Sequence, residues 1–213
     1  MRKMEISDFN KIFGSRQVES LSDYRFFSVL VPLVYFNNTS HLLFEIRSDN
    51  LRRQPNEICF PGGKIEKGES PKECALRETT EELNIPLNKI SIISELDYII
   101  TYSNFTLYSF LGEIKYSDIK DMKFNKNEVK DYFFVPFEFF LNTNPICHDI
   151  EILPKTPENF PYHLIQNGKD YNWRKGMIPV CLYTYEDKVI WGLTARIITN
   201  MVRIIREHDD KNL

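Results

Sequence analysis

The chain has 213 residues, 42% of them hydrophobic and 14% aromatic, which is enough for one domain with a substantial core, and its formal net charge of −3 argues against nucleic-acid binding through a basic surface. No apolar run approaches a membrane span, the opening MRKMEISDFNKIF has no continuous apolar stretch of a signal peptide, and the final DDKNL is not a peroxisomal SKL-type address. The four cysteines, Cys59, Cys74, Cys147 and Cys181, have neither CxxC spacing nor histidine partners suited to zinc, so they read as reduced thiols of a cytoplasmic protein.

Ile6, Phe9, Ile12 and Phe13 fall at helical spacing. They predict a short helical extension within residues 1–22, packed on the outside of the core. Phe26 to Phe36, FFSVLVPLVYF, reads as a buried strand with a break or bulge at Pro32. Asn37-Asn38 begins a turn, and His41 to Arg47 completes a hairpin. The polar loop SDNLRRQPNE carries Arg52 and Arg53. After the short strand Ile58-Cys59-Phe60, the sequence Pro61-Gly62-Gly63 turns the chain and leaves a backbone carbonyl open.

The next stretch, GGKIEKGESPKECALRETTEELNI, carries the chemistry. Ser70 or Glu69 begins a helix, with Pro71 in its first turn. Cys74, Leu76, Leu83 and the aliphatic part of Thr79 supply its buried side. Glu78, Glu81 and Glu82 are related by i,i+3 and i,i+4 spacing and share one face. Such like charges destabilise a helix by roughly 0.2–0.5 kcal/mol per pair in water. A divalent cation removes that repulsion, and carboxylate oxygens are what Mg²⁺ or Mn²⁺ prefer. Gly63, Glu69, Arg77, Glu78, Glu81 and Glu82 hold a fixed frame. At average usage of roughly 6–7% per residue type, six such positions coincide on the order of 10⁻⁷ times per starting position.

Ile90 to Ile100 and Phe105 to Ile114 read as an antiparallel pair joined at Tyr102-Ser103-Asn104. Lys115 to Lys130 reads as an exposed loop. Tyr132 to Val135 is a strand closed by Pro136, and Phe137 to Leu141 begins a short helix. Further strands are expected near Ile150 to Leu153, Tyr162 to Ile165 and Val180 to Tyr185. Leu193, Ile197, Met201, Ile204 and Ile205 form the apolar stripe of a last helix.

The frame resembles the signature of the Nudix hydrolases, Gly-x5-Glu-x7-Arg-Glu-U-x-Glu-Glu-x-Gly-U, where U is a bulky aliphatic residue. Thr79 stands where an aliphatic residue is usual, and Asn84 replaces the glycine after the helix. Asn is the next best residue for that left-handed position. The resemblance implies an α/β fold, an αβα sandwich with a mixed sheet. It forms a single domain over residues 1–213, with the strands and helix of residues 143–213 packed on the core. It also implies that the Gly63 carbonyl, Glu78, Glu81 and Glu82 bind Mg²⁺ or Mn²⁺. The ion would polarise phosphoryl oxygens and lower the pKa of an attacking water, with a carboxylate as base. Glu69 and Arg77 hold loop and helix together. A charged loop leading into a strand commonly supplies a further acid in this family, and Glu128 is the natural candidate.

Upstream, Arg47-Ser48, Leu51-Arg52 and Phe60-Pro61-Gly62-Gly63 resemble an element of the coenzyme A pyrophosphatase subfamily, with Asn56 where glycine is usual. Ile190 to Ala195 resembles the start of that subfamily's last helix. The implied activity is hydrolysis of the diphosphate of coenzyme A or acyl-CoA to 3′,5′-ADP and (acyl-)4′-phosphopantetheine. Arg47, Arg52 and Arg53 are the substrate-binding candidates. Arg52, and after it Arg53, would read the 3′-phosphate, unless these arginines contact the diphosphate or stand in solvent. The implied partner is a small nucleotide-derived substrate, with no nucleic acid and no membrane, and a homodimer is left open. Two other readings remain: hydrolysis of ADP-ribose or NADH, and a ligand-binding regulator that kept the fold without catalysis.

Overall fold

The structure is a computed structural model that describes residues 3–18 and 23–211. Residues 1–2 and 19–22 of the expected N-terminal extension, like 212–213, lie outside the described residues. Strand β1 (Arg25–Phe36) turns back into β2 (Thr39–Arg47) through Asn37 and Asn38, both at positive φ. That conformation matches the twist of a tight hairpin. The two strands pair only from Leu33 to Phe36 against Leu42 to Thr39 and then separate. Into the split runs the chain between β3 (Ile58–Cys59), which pairs β2, and β4 (Gly62–Lys64), which pairs β1. The Leu30 N–H donates to the Pro61 carbonyl between them. The Gly62-Gly63 turn is therefore built into the middle of the sheet.

Strands β5 (Ile90–Ile100) and β6 (Phe105–Ile114) form the expected antiparallel pair, and β6 runs parallel to β1. Strand β7 (Val129–Pro136) lines the other edge of β2. The result is a mixed seven-stranded sheet. A second sheet orders β8 (Ile146–Ile152), β9 (Gly176–Tyr185) and β10 (Lys188–Trp191) as β10-β9-β8. Among the described residues no helix is long and apolar enough to cross a membrane.

Alternation sends successive side chains to opposite faces. Leu30, Val34 and Leu43 pack with Ala75 and Leu83 of helix α2 (Pro71–Leu83). Val31, Leu42 and Phe44 pack on the other face. There they meet Phe140 of helix α4 (Phe137–Asn142), Tyr183 and Ile190 of the small sheet, and Ala195, Ile198 and Val202 of helix α5 (Gly192–Lys211). This is an αβα sandwich, with α2 on one side, where Ile119 of the 115–130 segment joins its core.

Several expectations change. Helix α1 (Ile6–Phe13) forms, but Ile6, Phe9, Ile12 and Phe13 are all exposed, so it does not pack on the core. Pro32 does not break β1; it falls where β1 changes partner from β4 to β2, so its missing donor costs no bond on that edge. The 115–130 segment holds a short helix, α3 (Tyr116–Ile119), anchored by buried Ile119. Tyr162–Leu164 is a 3₁₀ turn rather than a strand, closed by the Leu164 N–H on the Pro161 carbonyl. In α5 the buried stripe ends at Val202, and Ile204 is exposed. Cys147 and Cys181 are not reduced thiols. They sit opposite each other on β8 and β9 and form a disulfide, which removes reduced cysteine as an argument for a cytoplasmic setting.

Phe140 is fully buried, with its ring against Phe44, Phe139 and Tyr183. Phe140→Ala is expected to lower the unfolding free energy by about 3–5 kcal/mol, as cavity-forming aromatic truncations do. Chemical denaturation of both proteins checks this.

Candidate functional site

Helix α2 is defined at both ends by its own residues. The Ser70 hydroxyl accepts from the Glu73 N–H while the Glu73 carboxylate accepts from the Ser70 N–H, a reciprocal cap. Asn84 takes the left-handed conformation that closes the helix, and its side-chain amide donates to the Lys123 carbonyl. Thr79 is buried, and its hydroxyl donates back to the Ala75 carbonyl at 2.7 Å. The polar atom at this usually aliphatic position is thus satisfied within the helix.

Arg77 is the local hub. Its Nε donates to Glu69 Oε1 at 2.7 Å and one terminal nitrogen donates to Glu69 Oε2 at 3.0 Å, a two-pronged bond that ties the 64–70 loop to the helix. This holds the Glu69 carboxyl down at about 2. The other terminal nitrogen lies 2.9 Å from Glu78 and 3.4 Å from Glu81.

Glu78, Glu81 and Glu82, the three helix carboxylates of the signature stretch that runs from Gly63 (the box), do not share one environment. Glu81 is exposed, with 54% of its side chain accessible. Glu78 is half-buried, and burial raises its pKa against the pull of Arg77. Glu82 is buried and accepts the Gly62 N–H at 2.8 Å. Burial pushes its carboxyl well above the usual range, and the charge of Glu45 adds to the push. Glu78 and Glu82, one turn apart, embrace the Gly62-Gly63 peptide. A Cβ on Gly63 would lie 2.3 Å from the Glu78 carboxyl, so only glycine admits this approach. The Gly63 carbonyl stands opposite Ser28 in the β1–β4 ladder and also takes a weak contact from the Cys74 thiol at 3.6 Å.

Glu128 reaches the same place from a distant loop. The Asn125 N–H donates to the Glu82 carbonyl, and the Glu128 carbonyl accepts from the Ser48 N–H. The Glu128 side-chain charge acts on Glu45, Glu78 and Glu82. The same ties set the arginine loop beside the Glu128 loop. Arg47 is half-buried and its Nε has no hydrogen-bond partner, whereas Arg52 and Arg53 stand exposed and paired with nothing among the described residues. A groove of about 620 Å³ beside Lys64 is lined by Tyr24, Arg25, Phe26 and Ser103, to none of which the sequence assigned a part in binding.

One acidic residue also went unread in sequence. Glu45 on β2 is fully buried on the α2 side of the sheet, and burial pushes its carboxyl up to about 7 against the Cys59 hydrogen bond. Its signal was alternation: Leu43 faces α2, so Glu45 must as well. Among the described residues no three His, Cys, Asp or Glu side chains form a ready-made metal cage, and Glu78 and Glu81 are both in ion pairs with Arg77. The donor set nevertheless fits a hard divalent cation. It offers a backbone carbonyl and carboxylates held close together, all of them oxygen ligands.

The profile of the NUDIX domain matches residues 26–164. Over 188 residues the chain is 35% identical to the peroxisomal coenzyme A diphosphatase NUDT7 of Mus musculus, covering 85% of this chain and 70% of that protein. It is 34% identical over 113 residues to Nudix hydrolase 3 of Caenorhabditis elegans, covering 52% of this chain and only 47% of that protein. The crystal structure of a MutT/nudix family protein from Enterococcus faecalis superposes with a TM-score of 0.53 at 15% identity. The match covers 96% of this chain and 71% of that one, and shows the shared fold.

The shifted carboxyls give opposite pH dependences. Glu69, depressed from 4.5 to about 2, contributes stability that is present above 4.5 and lost as pH falls towards 2. Glu45, raised from 4.5 to about 7, binds a proton in the folded state that the unfolded chain releases, so stability falls as pH rises from 4.5 to 7. Metal-free protein is therefore expected to be most stable near pH ~5. Thermal unfolding in EDTA should show the acid limb flattened by Glu69→Gln and the neutral limb, to which raised Glu82 contributes in the same sense, made shallower by Glu45→Gln.

Proposed function

This chain belongs to the Nudix hydrolase family, and from that premise we propose that it hydrolyses the diphosphate of coenzyme A or its thioesters to 3′,5′-ADP and (acyl-)4′-phosphopantetheine. The observation that carries the reading is the oxygen-lined turn at Gly62-Gly63, in a chain 35% identical to a coenzyme A diphosphatase. Mg²⁺ or Mn²⁺ held by the Gly63 carbonyl, Glu78, Glu81 and Glu82 would supply a Lewis acid for the phosphoryl oxygens and lower the pKa of water. Glu82 fixes the turn with one oxygen and keeps the other for the ion. Glu69 and Arg77 keep loop and helix in register. Glu128 approaches from across the site as the base that takes the proton of the attacking water.

Arg52 and Arg53 recruit the 3′-phosphate, which distinguishes coenzyme A from dephospho-coenzyme A. A guanidinium can donate in parallel to two phosphate oxygens. Their exposed position, on the loop tied to the Glu128 loop, suits a group at the rim of the site. ADP-ribose and NADH remain the alternative substrates. Initial rates on coenzyme A, acetyl-CoA, ADP-ribose and NADH with either metal decide among them, and the reading requires the highest kcat/KM on a coenzyme A species.

Glu128→Gln is expected to slow turnover by roughly 10²–10⁴-fold, the scale of a lost general base. A loss smaller than about threefold would place the base elsewhere. Arg52→Ala is expected to lower kcat/KM for coenzyme A by roughly ten- to hundredfold and to leave dephospho-coenzyme A nearly unchanged. Equal losses on both substrates would move the arginine to the diphosphate.

A further inference from the structure

Buried polar atoms in native proteins are almost always paired, so an orphan calls for an explanation. Among the described residues, four buried side-chain atoms have no hydrogen-bond partner: Ser28 Oγ, Glu45 Oε2, Arg47 Nε and Thr80 Oγ1. Two of them, on Glu45 and Arg47, stand two residues apart on one face of β2, and Ser28 is opposite Gly63 in the β1–β4 register. Ser28 thus stands at the turn itself, Glu45 lies opposite Cys59 with its charge felt by Glu82, which holds the Gly62 N–H, and Arg47 follows opposite Glu57.

Glu45 is the most demanding of them. No part of it is exposed. Oε1 accepts the Cys59 thiol at 3.3 Å, a weak donor, and Oε2 accepts nothing. Nothing about the core requires an acid here, because Leu43 two residues earlier fills the equivalent inward position with an apolar side chain. An unpaired acid at this depth is costly. The carboxylates whose charge Glu45 feels or acts on are Glu82, Glu78 and Glu128, already assigned to the site, and among the described residues the cation acting on it is half-buried Arg47. Extra negative charge set beneath a cluster of like charge has a physical purpose if a cation is to sit there.

We propose that Glu45 is a further ligand of the divalent-cation site, presenting its unpaired Oε2 from strand β2 beneath the box helix, so that the ion is held by the sheet as well as by the helix. The inference rests on the metal-dependent reading given above and adds to it a residue from outside the box. The sheet carboxylate gives the ion a rigid anchor. The helix carboxylates Glu78 and Glu81 can then exchange Arg77 for the ion without carrying the whole site.

Binding of Mn²⁺ alone, without substrate, tests this by electron paramagnetic resonance of the free ion. Glu45→Gln is expected to weaken Mn²⁺ binding by about 10- to 100-fold while melting in EDTA at or above the wild-type temperature. Glu82→Gln, measured in parallel, reports on the box itself. If Glu82→Gln loses affinity and Glu45→Gln stays within about twofold of wild type, the assignment of Glu45 is overturned and the box reading stands. If the wild type takes up no Mn²⁺, both are overturned. Should Glu45→Gln fail to melt cooperatively, Glu45→Asp is measured instead. It keeps the acid and withdraws it by one methylene, and affinity within about twofold of wild type again overturns the assignment.

Discussion

Helix α2 approaches the Gly62-Gly63 peptide so closely that the site and the split sheet around it take their shape from that contact. A Cβ on Gly63 would lie 2.3 Å from the Glu78 carboxyl, and one on Gly62, at φ +155°, would lie 2.3 Å from the Ser28 carbonyl oxygen. Two successive residues without side chains let one turn of helix, from Glu78 to Glu82, close over a turn of backbone. The split between β1 and β2 gives that turn its place, because β3 and β4 fill the gap and fix the turn from both sides. The Arg77–Glu69 bond then secures the intervening loop at its far end.

Holding several carboxylates this close and this deep works against folding, since burial and mutual repulsion both raise the cost of the ionised forms. Two apolar cores offset that cost. One lies between α2 and the sheet, and the other lies between the sheet and the layer of α4, α5 and the three-stranded sheet. Among the described residues only one guanidinium, that of Arg77, bridges the box acids, and it reaches Glu69, Glu78 and Glu81 but leaves Glu82 to a backbone N–H. The site is thus rigid in its backbone and short of positive charge. That combination suits the capture of a cation and, through it, of an anionic diphosphate.

Much of this was legible in the amino-acid sequence where the cause is local. The spacing of Glu69, Arg77 and the three glutamates, the capping Ser70 and the left-handed Asn84 all act within a few residues. The β5–β6 pair was readable from two alternating segments joined by a short turn. What escaped depends on distant partners. The burial of Glu82 follows from a split sheet that no window of sequence reveals. The disulfide follows from the register of two strands whose cysteines are 34 residues apart. The periodicity of α1 announces an apolar face but not whether anything covers it, and none of its residues is buried. Tyr162 to Ile165 has strand-like composition without a neighbouring strand, and the Pro161 carbonyl closes it into a turn. Glu45 was within reach, since alternation in HLLFEIR places it beside Leu43, but an acid in an apolar strand reads as a surface position until its face is known.

The proposed reaction is the cleavage of one diphosphate bond by water. Hydrolysis of coenzyme A in oxygen-18 water with Mg²⁺ or Mn²⁺, followed by mass spectrometry of the products, examines that bond directly. The expected products are 3′,5′-ADP and 4′-phosphopantetheine, with a single oxygen-18 in one of the two phosphates at the severed diphosphate. Loss of the 3′-phosphate or of the thiol-bearing arm with the diphosphate intact would contradict it, as would the absence of any metal-dependent product.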